Sequence, residues 1–153
     1  METESPIEFD PSLIKKRSVC FDVEGKPFGK QRPRFVRKGK YISTYTPKET
    51  ADYERHVRRS YTITCGRDML NTPVSAELEA VYPIPKSASK KKKEDMINNI
   101  ILPTVKPDTD NVAKAILDSL NKVAYDDDAG IIELKVTKRY GLEPMVRVRL
   151  KEL

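Results

Sequence analysis

The chain has 153 residues, with 29 basic and 23 acidic side chains and a formal charge of +6. That length fits one domain with a modest core, and the positive surplus favours an anionic partner. No apolar run approaches a membrane span and METESPIEFD lacks the apolar centre of a secretory signal, so a membrane role is excluded and a cytoplasmic location expected.

Residues 1–17 read as a flexible lead-in and 18–153 as the folded domain. Val19, Phe21 and Val23 alternate with Cys20, Asp22 and Glu24, the pattern of a half-buried strand. GKPFGKQRPR follows, where Gly25, Pro27, Gly29 and Pro33 oppose regular structure. Lys26, Lys30, Arg32 and Arg34 crowd this loop with charge suited to phosphate contacts. Phe35–Val36 and Tyr41–Thr44 are expected to form a hairpin about Lys38-Gly39-Lys40.

Thr46-Pro47-Lys48-Glu49 has the form of a capping box opening a helix, with Tyr53, Val57 and Tyr61 inward and Arg55, Arg58 and Arg59 outward. Cys20 and Cys65 lack metal-site spacing and read as a reduced, buried or half-buried pair. His56 is the single histidine and reads as a solvated helix position, which excludes histidine-rich zinc sites and histidine-based nuclease motifs. Pro73 to Tyr82 alternates as a strand. The run Lys90, Lys91, Lys92 and Lys93 is expected to be solvated and mobile, a secondary DNA contact, before a helix over Glu94 to Ile100.

The stretch KPDTDNVAKAILDSLNKVAYDDDAGI, from Lys106 to Ile131, concentrates acid in this basic chain. Asp108 or Asp110 is placed to cap a helix whose apolar stripe is Val112, Ala113, Ile116, Leu117, Leu120 and Val123. Asp110, Lys114 and Asp118 share another face at four-residue spacing. A two-residue loop after Val123 then leads to Asp126, Asp127 and Asp128. Two carboxylates 4 Å apart repel by about 4 kcal/mol at an effective dielectric near 20, so a cluster calls for a cation or a retained proton. Mg²⁺ suits an all-oxygen site shared with a substrate phosphate. Beyond it, Ile132, Leu134 and Val136, then Val146, Val148 and Leu150, alternate as two antiparallel strands around a Tyr140-Gly141 turn, with mainly basic polar faces.

Asp-x-Asp-Asn at Asp108 to Asn111, followed by Lys114, Asp118, Leu120 and Asp-Asp-Ala at Asp127 to Ala129, resembles the RusA-type Holliday junction resolvases. KQRPR resembles the N-terminal segment of some members. Gly130 stands where members commonly carry Gln. The resemblance implies metal ligands at Asp108, Asp110 and Asp128, an essential lysine at Lys114, and Asp127 as the acid before the third ligand. With three consecutive aspartates, the choice between Asp127 and Asp128 stays open. It further implies an α+β domain, a mixed β-sheet with helices packed on one face, working as a homodimer that cuts four-way DNA junctions with Mg²⁺, or Mn²⁺ in its place. No small-molecule cofactor is expected, and a prophage or phage origin, nucleoid-associated, follows from the resemblance alone. Two other classes compete. One is a structure-selective DNA-binding protein with a degenerate site. The other is a nucleotide-sugar transferase using Asp-Thr-Asp, for which no Gly-rich nucleotide-binding turn is present.

Overall fold

The computed structural model describes residues 6–8, 10–11 and 15–153; the rest of the expected lead-in lies outside the described residues. Its strands are β1 (Ser18–Glu24), β2 (Arg34–Lys38), β3 (Tyr41–Tyr45), β4 (Val74–Pro83), β5 (Ile131–Gly141) and β6 (Met145–Glu152). Its helices are α1 (Lys48–Cys65), α2 (Lys90–Ile97) and α3 (Thr109–Ser119). Together they form an α+β domain with a mixed four-stranded sheet in the order β1-β6-β4-β5 and a separate β2–β3 ribbon.

Strand β4 owes its central place to composition. Val74, Ala76, Leu78, Ala80 and Tyr82 are buried against the helices, and Val81 is buried as well. A strand this apolar needs a neighbour on each side. It pairs antiparallel with β6 and parallel with β5, which follows a crossover through α2 and α3. The last two strands run antiparallel to each other, as expected, but without pairing directly. They flank β4, and this register sets outward Arg139, Arg147 and Arg149 among Glu77, Glu79 and Asp22.

The inner face of the sheet carries α1 and α3. Phe21, Val23, Val146, Val148 and Leu150 meet Val57, Tyr61, Val112, Ile116 and Leu120, all buried. Burying a side chain of this size stabilises by about 1.5–3 kcal/mol. Three buried tyrosines also tie down loops through their hydroxyls, Tyr61 to Asp68 O (2.9 Å), Tyr82 to Pro107 O (2.5 Å) and Tyr125 to Leu117 O (2.7 Å). Each removes a polar group from the core's ledger of unmet bonds and fixes a backbone segment.

Several local expectations change. The capping box does not form, because Pro47 occupies the N-cap without a side-chain bond and Glu49 instead accepts from Gln31 Nε2 at 3.2 Å. The lysine run is the first turn of α2 and not a mobile lead to it, since Ser89 caps that turn by accepting from Lys92 N. Helix α3 stops at Ser119, so Val123 lies outside it. Val123 N and Ala124 N return to Leu120 O, and buried Tyr125 draws the chain back over the helix end. Both cysteines are free, but Cys20 is exposed and only Cys65 half-buried. His56 is exposed, with Nε2 2.7 Å from Glu24 O. Among the described residues no helix is long and apolar enough to cross a membrane.

Candidate active site

The site is built along α3, whose apolar side is buried while Asp110 and Lys114 stay exposed and Asp118 partly so. At the N-terminus, Asp108 occupies the N-cap position but its carboxylate accepts no capping bond. The sequence pattern assigned that carboxylate, or Asp110, to the cap. Both stay free, beside the positive end of the helix dipole. Tyr82 holds the preceding Pro107 carbonyl, and the Asp108 charge helps burial push the Tyr82 hydroxyl up to about 12.

At the far end, the aspartates divide their work. Asp126 pairs with Lys122 at the surface. Asp127 caps the short turn Asp128–Gly130, its Oδ1 accepting from Ala129 N at 2.8 Å, which lowers its pKa. Asp128 faces the helix. Its own N–H bonds Asn121 Oδ1 at 2.8 Å, and its carboxyl is pushed up to about 6 by desolvation and by Asp118 and Asp127 beside it. The turn can come this close to the loop before β4 because position 130 is glycine. A Cβ there would lie 2.2 Å from Thr72 Cγ2, so the Gln that the resemblance leads one to expect does not fit this backbone.

Asp118 is the member that the sequence reading placed in the motif without giving it a role. Its Oδ2 accepts from Lys30 Nζ at 2.6 Å, and Glu54 lies 3.9 Å from the same ammonium. Lys30, expected to contact phosphate, is thus bonded to the acidic site. Two packing contacts put it there. Gly29 sits against Pro107 and Asn111, where a Cβ would come within 2.9 Å of Pro107 Cβ. Phe28 stacks on Tyr53 of α1, ring centroids 4.9 Å apart. No sequence periodicity spans that 88-residue separation between Lys30 and Asp118.

Ten residues separate Asp108 from Asp118, about 15 Å along the helix axis at about 1.5 Å per residue. Asp108 and Asp110 therefore stand at one end of α3 and Asp128 with Asp118 at the other. Among the described residues no group of three or more acidic, histidine or cysteine side chains has metal-holding geometry. The donor chemistry still suits a hard dication. The acids are all-oxygen donors, and Asp128 keeps a raised proton affinity of the kind a cation would relieve. Lys114, between the two ends, makes no ion pair among the described residues.

Of the other basic positions, Lys26, Arg32 and Arg34 are exposed on or next to the loop. Lys90, Lys92 and Lys93 are exposed on α2, while Lys91 pairs with Asp95 at 3.3 Å. Helix α2 stands by Pro83 and Gly141, at the end of the sheet where Tyr82 holds Pro107, so the lysines share that end with Asp108. The arginines of β5 and β6 differ. Arg147 bonds Asp22 through two nitrogens (2.8 and 3.1 Å), and Arg149 and Arg139 reach Glu77 and Glu79. The arginines of the faces expected to be basic are neutralised across the strands, while Lys135 and Lys151 stay exposed.

A basic loop pinned to an acid-bearing helix on an α+β sheet suits contact with a polyanion. The model of the family "Endodeoxyribonuclease RusA" matches residues 24–151, and the chain belongs to that family. It is also 36% identical over 138 residues to "Uncharacterized protein YqaN" of Bacillus subtilis (strain 168), spanning 88% of this chain and 96% of that protein.

Proposed function

We propose that this protein is a metal-dependent endonuclease that resolves four-way DNA junctions by paired nicks. The observation that carries this reading is the membership in the endodeoxyribonuclease family, joined to an α3 whose Asp108 and Asp110 are left unused by capping. Asp108 and Asp110 are the proposed ligands of Mg²⁺ (Mn²⁺ as substitute), completed by water and the substrate phosphate, while Asp128, the third ligand the resemblance names, stands at the other end of α3, out of reach of the same ion. Asp127 holds the turn that aims Asp128 inward. Bound by Asp108 and Asp110, the cation would offer Lewis acidity toward a phosphate oxygen and a water of lowered pKa. Lys114 offsets charge that develops on the phosphate. Lys30 orients Asp118 beside Asp128. Lys26, Arg32 and Arg34, with Lys90, Lys91, Lys92 and Lys93, position the DNA backbone without reading bases.

A homodimer suits this chemistry, because two opposed strands must be cut and a two-fold axis supplies one site for each. Strand β5 favours it, being a sheet edge with Ile132 and Leu134 exposed.

The test is cleavage of a synthetic four-way junction and of a linear duplex, in Mg²⁺ and in EDTA, by the wild type and Asp110→Asn. Symmetric nicks in the junction that require metal and disappear in the variant are expected. Tight junction binding with no cutting in any divalent metal would instead make this a structure-selective DNA-binding protein.

A further inference from the structure

The β2–β3 ribbon has no part in the core, yet among the described residues it carries the most exposed aromatic rings, with Ile42 exposed beside them. Phe35 is 76% exposed, Tyr41 80% and Ile42 71%. A two-stranded ribbon alone in water has nothing to bury such groups against. Their arrangement is specific. The register sets Arg34 opposite Tyr45 and Lys38 opposite Tyr41 on one face, and Phe35 opposite Thr44 and Arg37 opposite Ile42 on the other. Each face therefore presents an aromatic ring beside a cation.

Charge identifies the occupant. No carboxylate lies between Glu24 and Glu49, while Arg34, Arg37, Lys38 and Lys40 fall within the ribbon and its turn. None of the four makes an ion pair among the described residues. A second copy of the ribbon would set these cations against one another, which disfavours self-pairing. A polyanion with exposed aromatic faces satisfies both features. Intact duplex offers phosphates and base edges but hides base faces, whereas a branch point unstacks them. Aromatic platforms bind such bases with little regard to sequence.

We propose that the β2–β3 ribbon is a branch-point arm in which Phe35 and Tyr41 stack on unstacked bases while Arg34, Arg37, Lys38 and Lys40 hold the flanking phosphates. It rests on the proposed action on branched DNA and adds a source for the preference over duplex. The ribbon's root is fixed where it must be for this role, since the loop leading into it is bonded to the acidic site through Lys30.

The experiment uses a four-way junction with 2-aminopurine at the branch point, titrated in EDTA with the full-length protein. Wild type changes the probe's fluorescence on binding. Phe35→Ala/Tyr41→Ala loses that change and weakens junction binding by about ten-fold or more, with linear duplex held within about two-fold. Phe35→Tyr/Tyr41→Phe keeps the rings and retains both signal and affinity. Lys38→Ala/Lys40→Ala weakens junction and duplex alike and flattens the salt dependence. The arm is overturned if the double alanine variant keeps the probe signal and junction affinity, or if it merely dissociates a wild-type oligomer in sedimentation. If wild type itself shows no preference for the junction, the branched-DNA reading falls and takes the arm with it. If the wild type prefers the junction and the alanine variant equally does, only the arm falls.

Discussion

Two regions of this protein are rich in arginine, and they differ in one respect. On the outer face of the sheet, Arg139, Arg147 and Arg149 each reach an acid on a neighbouring strand, Asp22, Glu77 or Glu79. In the segment from Lys26 to Lys48 no acid is present at all, and Lys30 alone borrows partners from the helices α3 and α1. The first region has spent its charge on folding, for a modest return because the pairs are exposed. The second keeps its charge unpaired. Counting basic residues would rank the two alike, so the useful quantity is charge left unpaired. The same distinction sorts the acids. Asp22 and Asp126 are paired, Asp127 caps a turn, and Asp108 and Asp110 are left open.

The largest effects are expected among the unpaired groups. Asp110→Asn and Lys114→Ala each lower junction cleavage by at least about a hundred-fold while leaving junction affinity in EDTA within a few-fold, checked by single-turnover cleavage and gel shift. Equal loss of cutting and binding would move these residues from chemistry to positioning.

Next comes Asp128, whose raised pKa has a stability consequence. Folding increases its proton affinity, so its contribution to stability is most favourable at low pH and declines as pH rises from the unfolded value near 3.8 to about 6. Asp128→Asn removes that decline. In thermal melts without divalent metal, the variant is expected to melt higher than wild type at pH 7, by a gap that closes toward pH 4. A variant that melts lower at every pH would contradict the crowding at Asp118 and Asp128.

The smallest effect belongs to a paired group. Arg147 holds the Asp22 carboxyl below its usual range, so that pair's stabilisation is present above about pH 4 and lost as pH falls through the lowered value. Both side chains are more than a third exposed, at 35% and 38%, and solvent screening leaves about 0.5 kcal/mol. Asp22→Asn should shift a urea midpoint at pH 7 by no more than that, without changing DNA affinity.

Much of this was legible in the chain. Alternation at Val19 to Val23 and at Val74 to Tyr82 placed strands, and the stripe through Val112, Ile116 and Leu120 placed the helix that bears the acids. The ordered motif from Asp108 to Ala129 pointed to the family. What stayed hidden depends on partners distant in sequence. Strand order follows from pairing between strands distant in sequence, β4 taking β5 on one side and β6 on the other, which no local pattern announces. The pairing of Lys30 with Asp118 depends on Gly29 seating against Pro107 and Asn111. Local signals misled where a competing bond was on offer, as at Glu49, which serves Gln31 and not the helix cap. That Asp127, and not Asp128, has its carboxylate occupied by Ala129 N became readable only with the turn itself.

The most direct test of the difference between the two basic regions sets Arg32→Ala/Arg34→Ala against Arg147→Ala/Arg149→Ala on one labelled four-way junction, in EDTA, across a salt series. The loop variant is predicted to bind about ten-fold more weakly and to lose about two from the salt slope, while the sheet variant binds as wild type does. Equal losses from both variants, or a loss confined to the sheet variant, would contradict the claim that unpaired charge marks the DNA-binding surface.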